Sequence, residues 1–115
     1  MQPLRTVTVA ITPLLGDIIS QMVAVRAPIE IVARLDNRDQ LALRLRTLAP
    51  DLVLIGLGRD EGGAIGLSLR DALPRGKVIA LSHDAHHAYL PVPQRHRTTV
   101  IDLSPEALIE AIRAF

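Results

Sequence analysis

Titratable side chains crowd one short stretch of the chain, Ser82-His83-Asp84-Ala85-His86-His87. Imidazole nitrogens and carboxylate oxygens are ligands for zinc or nickel, so the cluster could carry metal chemistry. No familiar ligand spacing is present, however, and His83 and His86 converge only if a fixed helical turn separates them. The expectation is solvated loop histidines and no metal. A metal-binding, small-molecule-binding or enzymatic role for His83, His86, His87 and Asp84 is the alternative. A second stretch, Gly56-Leu57-Gly58-Arg59-Asp60-Glu61-Gly62-Gly63, has the glycine content of a phosphate cradle. It lacks the spacing of a P-loop or a dinucleotide fingerprint, and Asp60 and Glu61 stand where an anion would sit. A plain loop is expected there, and no cofactor.

These side chains must be positioned by strands and helices, and the apolar pattern says which. Val7–Ile11, Ile29–Ala33, Leu52–Leu57, Val78–Leu81 and Thr98–Ile101 are short runs, rich in Val and Ile, of the kind buried on both faces of a parallel sheet. Between them lie helical stripes. Leu14, Leu15, Ile18, Ile19, Met22 and Val23 share one face; Leu41, Leu45 and Leu48 form a second stripe; Ile65, Leu69, Ala72 and Leu73 form a third. Leu108, Ile112 and Phe115 follow Ser104-Pro105-Glu106, a helix start with Ser as N-cap and Pro as first residue.

Strands alternating with helices lead to a parallel sheet with right-handed crossovers and helices on both faces. The predicted architecture is one α/β domain over residues 1–115. It is flavodoxin-like and doubly wound, with five parallel strands in the order 2-1-3-4-5 and a short or irregular fourth helix. A site in such a sheet sits at the carboxyl ends of the strands, near the switch between the first and third. That directs attention to 10–13, 56–58, 82–84 and 100–102.

Composition narrows the function classes. The chain has 115 residues, 49% of them hydrophobic, and a formal net charge of +1. A core can be buried, and the charge balance is too weak to require nucleic acid. Without cysteine there is neither disulfide nor thiolate chemistry. No apolar run approaches the length of a bilayer span, and Met1–Arg5 lacks the apolar stretch of a secretion signal, so no membrane association and a cytoplasmic location are expected.

Several segments resemble response-regulator receiver domains. Ala49-Pro50-Asp51-Leu52-Val53-Leu54-Ile55 is similar to the run into their third strand, and Lys77-Val78-Ile79-Ala80-Leu81-Ser82 to their fourth strand with its terminal hydroxyl. Asp102-Leu103-Ser104-Pro105-Glu106-Ala107-Leu108-Ile109-Glu110-Ala111-Ile112 looks like the end of receivers that precede a helix-turn-helix, and Thr12-Pro13-Leu14-Leu15 matches the opening of their first helix. The resemblance implies Mg²⁺ on an acidic pair after the first strand and phosphorylation of an Asp ending the third. Aligned on these motifs, the acidic pair falls on Ala10 and Ile11, the phosphoacceptor on Gly56 and the phosphate-reading Lys near Ile101; Ser82 alone keeps the switch hydroxyl. A hard cation needs carboxylate oxygens and phosphoryl transfer needs a carboxylate nucleophile, and these positions supply neither. Asp51 is no substitute, because it lies at the opposite end of the strand.

The expectation is therefore a degenerate phosphorylation site at Ala10, Ile11, Gly56, Ser82 and Ile101, with no catalytic residues. The function expected is that of a noncatalytic pseudo-receiver, a regulatory module of a two-component-type system, freestanding or part of a longer regulator, that acts by protein binding. Pro91 and Pro93 oppose a regular helix before the last strand, so that segment is predicted as an irregular loop. Its Tyr89, Leu90, Arg95 and Arg97 suit an interaction surface with an apolar centre and a cationic rim. The partner is of unknown identity; the last helix and the strand edge also suit a homodimer.

Overall fold

The computed structural model describes residues 3–24, 29–59, 61, 65, 69, 73, 76–92 and 97–114. Six strands, β1 (Leu4–Val9), β2 (Ile29–Leu35), β3 (Leu52–Gly56), β4 (Lys77–Leu81), β5 (His87–Val92) and β6 (Arg97–Asp102), form one sheet in the order β2-β1-β3-β4-β5-β6. Three helices are described, α1 (Pro13–Ala24), α2 (Leu41–Leu48) and α3 (Pro105–Ala114).

Local chemistry explains the helix starts. The Thr12 hydroxyl accepts the N–H of Leu15 at 3.3 Å and Pro13 follows it, so α1 opens with a cap and a residue whose missing donor is no loss. Ser104 and Pro105 repeat the device for α3, with Ala107 N–H donating to Ser104 Oγ at 3.1 Å. Helix α2 ends where Ala49 turns left-handed and donates to Leu45 O at 2.8 Å.

All five residues of β3 are buried, as a central strand covered on both faces requires. Its side chains alternate between two cores. Val53 and Ile55 join Val7, Val9, Val78 and Ala80 beneath Leu41 and Leu45 of α2, with Leu69 and Leu73. Leu52 and Leu54 join Ile79 and Leu81 beneath Leu15, Ile19 and Met22 of α1 and Leu108 and Ile112 of α3. Truncating any of these fully buried leucines to Ala should cost about 2–5 kcal/mol.

Strands β2, β1, β3 and β4 are parallel and keep the order expected for the first four. The five-stranded, all-parallel order 2-1-3-4-5 is corrected by the remainder. Residues 87–92, predicted as a loop or short fourth helix, form β5, which pairs antiparallel with both β4 and β6. The prolines did exclude a helix, but a strand admits Pro where no ladder donor is needed. The N–H and carbonyl of His87 both face Ser82, so by alternation Tyr89 and Pro91 turn their backbones toward β4 as well. Pro91 has no N–H to donate there, and β5 pairs with β4 only through Ala88 and Tyr89. The predicted third helical stripe falls largely outside the described residues, although Leu69 and Leu73 are buried; Ala72 and Phe115 lie outside them. No helix among the described residues is long and apolar enough to cross a membrane.

Candidate functional site

The carboxyl ends of β1 and β3 meet with almost no space between them. Ala10, just after β1, adopts a left-handed backbone (φ 53°) and donates its N–H to Leu35 O at 2.9 Å. This conformation is unfavourable for a residue with a Cβ, by about 1–2 kcal/mol, and it turns the Ala10 carbonyl onto β3. A Cβ placed on Gly56 would overlap that carbonyl oxygen and lie 3.1 Å from its carbon and 3.6 Å from Ile11 Cα. Gly56 is thus set by the close approach of a neighbouring backbone. Three of the positions singled out from the sequence, Ala10, Ile11 and Gly56, come together here, and they present backbone and hydrocarbon. None supplies a carboxylate oxygen, so these residues do not fit a Mg²⁺ ion.

A cross-loop clasp closes the same rim. Arg38, in the loop after β2, donates to both carboxylate oxygens of Glu61 at 2.6 and 2.5 Å and to Gly56 O at 3.0 Å. Glu61 also accepts the N–H of Gly58 at 2.9 Å. The Arg38 hydrogen bond holds the Glu61 carboxyl below its ordinary pKa against the opposing effect of burial, and Glu61 raises that of Arg38 in return. A two-pronged guanidinium contact of this kind fixes orientation as well as charge. The glycine-containing loop after β3 is therefore tied by its own acid. Sequence inspection missed the pair because the partners are 23 residues apart and belong to different loops.

Ser82 follows β4, whose Leu81 pairs in register with Gly56, so it lies at the same end of the sheet. Its hydroxyl donates to Asp84 Oδ1 at 2.6 Å and accepts the N–H of His87 at 2.9 Å. Asp84 Oδ1 also accepts His86 N–H at 3.0 Å, and Ala85 takes a left-handed conformation (φ 63°) between them. These bonds build the tight connection that reverses the chain from β4 into β5. They also hold the Asp84 carboxyl below its ordinary pKa, the Ser82 hydroxyl contributing most and the His86 N–H next. His83, His86 and His87 are exposed, with the rings of the last two 6.4 Å apart. Among the described residues no three His, Asp or Glu side chains gather as a metal site.

The remaining sequence candidates are dispersed. Ile101 pairs with Ala88 on β6, which β5 and β4 separate from β3. At about 4.8 Å per strand that is some 14 Å from Gly56, and its side chain packs with the α1–α3 core. Asp51 lies at the far end of β3, where its carboxylate accepts Arg5 N–H at 2.9 Å. Tyr89 and Leu90 are successive strand residues, half-buried on opposite faces, Tyr89 against the α2-side core and Leu90 against the α1–α3 core. They do not form one patch. Arg97 opens β6, and Arg95 lies outside the described residues.

What this rim can do chemically is limited. Of the carboxylates at this rim, Glu61 and Asp84 already accept two or more hydrogen bonds each, and the Arg38 guanidinium is occupied. No family model matches the chain, and no curated protein matches it.

Proposed function

We propose that this chain is a noncatalytic receiver-like module of a two-component-type signalling system, acting through a protein partner and independently of aspartyl phosphorylation. Support for the receiver relationship comes from the order 2-1-3-4 of the first four strands together with the segments at Thr12-Pro13, Pro50–Ile55, Lys77–Ser82 and Asp102–Ile112. The β5–β6 hairpin then occupies the place of a receiver's fourth helix and fifth strand. One observation carries the loss of phosphorylation: the residue aligned with the phosphoacceptor is Gly56, and the Ala10 carbonyl fills the space any side chain there would need. In receivers a phosphoryl group biases a bistable surface. Here the same rim is tied in one arrangement by Arg38 and Glu61, which suits a module that presents a constant surface.

Incubation with a small-molecule phosphodonor and Mg²⁺, followed by intact-mass analysis, tests the proposal. Unmodified protein is the expected result. A stoichiometric acid-stable or acid-labile phosphoryl adduct on the chain would overturn it.

A further inference from the structure

A groove of about 1030 Å³ runs between α1 and the edge strand β2. It exists because α1 directs Leu15, Ile19 and Met22 into the core it shares with α3, while small residues, Gly16 and Ser20, face β2. Its ionisable lining is Asp17, Glu30 and Asp36 against a single Arg34, none of them ion-paired among the described residues. Thr8, only 6% exposed, lines it from β1. Among the described residues no buried side-chain oxygen lacks a hydrogen-bond partner, so the preference of the groove rests on its charge and its small residues, which suit an occupant that is cationic and carries an apolar knob.

The opposite face of the same molecule offers that combination. Leu43 on α2 is 59% exposed, Arg46 stands one helical turn away and Arg44 beside it, both exposed and without an ion pair among the described residues. At about 1.5 Å per residue, the eight residues of α2 span about 12 Å and α1 about 18 Å, so one helix fits along the other. We propose that the α1–β2 groove receives helix α2 of a second copy of this chain, with Leu43 over Gly16 and Ser20 and the arginines toward Asp17, Asp36 and Thr8. The groove and the helix lie on opposite faces of one sheet, so the contact is heterologous and joins copies head to tail. This assembly does not depend on the receiver relationship or on the absence of phosphorylation.

Sedimentation velocity over a range of concentrations tests the proposal, using the wild-type chain, Arg46→Glu, and Asp17→Arg with Asp36→Arg. The charge reversals are at exposed sites, and far-UV circular dichroism checks folding. The wild-type mass should rise with concentration past two copies and fall with added salt. Each variant alone should associate at least about tenfold more weakly. Mixing the two should restore association that rises with concentration, since one variant keeps the groove, the other keeps the helix, and the two charge-reversed surfaces are themselves complementary. Thr8→Val should weaken association and leave the fold intact. A monomer at every concentration overturns the proposal, including one whose groove binds an unrelated basic peptide. So does a closed dimer indifferent to both charge reversals, the result expected of pairing through α3 and the β6 edge.

Discussion

The Ala10 carbonyl oxygen sits where the Cβ of any side chain at Gly56 would have to be. Because the obstacle is backbone, it cannot swing aside as a flexible side chain would. Gly56→Ala should therefore destabilise the fold by about 1–3 kcal/mol, the usual range for overpacking a tight interior. Urea unfolding should register this as a lower midpoint with an unchanged slope. Gly56→Asp should cost at least as much and should not gain phosphorylation with a phosphodonor and Mg²⁺, since Ala10 and Ile11 bring no ligand oxygen. A variant as stable as wild type would mean that the Ala10 turn is free to retreat.

Gly16 is the counter-case. It lies in α1 with helical backbone, and a Cβ there would find only Ile11 Cγ2, at 3.9 Å. Neither strain nor crowding opposes a side chain, while glycine weakens a helix interior through its extra freedom in the unfolded chain. Gly16→Ala should raise stability by about 0.5–1 kcal/mol. Thermal unfolding of Gly16→Ala beside Gly56→Ala should move the midpoints in opposite directions, and a fall in both would refute the account of Gly16.

Five of the six strands, β1, β2, β3, β4 and β6, were legible in the sequence as short runs rich in Val and Ile, most plainly where both faces of the strand are covered. Their burial leaves few polar residues to blur the pattern, as in the five consecutive buried residues of β3. Strand β5 was not legible. His87-Ala88-Tyr89-Leu90-Pro91-Val92 has no alternation of polar and apolar residues, since Tyr89 and Leu90 pack on different cores, and Pro91 reads as a breaker. Its strand character comes from hydrogen bonding to β6 along its whole length, a long-range cause that local composition does not record. At the rim, the missing acids at Ala10, Ile11 and Gly56 could be read from type and position alone. The Arg38–Glu61 clasp could not, because each partner is an ordinary polar loop residue until the fold brings them together.

That clasp should make a measurable contribution with a defined pH dependence. Glu61 has its pKa lowered from 4.5 by Arg38, so the stabilisation is fully present above that unfolded value and is lost as pH falls through the lower folded value. Arg38 is shifted upward from its ordinary value, so its side of the pair stays charged throughout the neutral and acid range. With both side chains 32% exposed, solvent screening keeps the coupling near the top of the surface range, about 0.5–1 kcal/mol. A double-mutant cycle with Arg38→Met and Glu61→Gln should return that value at neutral pH and nothing once the carboxyl is protonated. Coupling that persists in acid would show that the pair acts through packing.

The turn between β4 and β5 depends on one hydroxyl shared between a carboxylate and a backbone N–H. Ser82 Oγ is donor to Asp84 and acceptor for His87 N–H, so Ser82→Ala removes both bonds and leaves the His86 N–H as the carboxylate's main remaining partner. Since the Ser82 bond is the largest cause of the lowered Asp84 pKa, the variant's Asp84 should titrate closer to the ordinary value of 3.8. A folded pKa below the unfolded one stabilises above the unfolded value and fades as pH falls through the folded one, so Ser82→Ala should flatten the acid limb of the stability profile. Carboxyl-detected NMR titration of Asp84 in the two proteins measures the shift directly. Zinc added to the wild-type sample should leave the His83, His86 and His87 resonances unmoved, because their rings are exposed and no group of three ligands gathers among the described residues. An unchanged Asp84 titration in Ser82→Ala would place the control of this turn elsewhere, and saturable zinc binding would return the histidines to the list of functional groups.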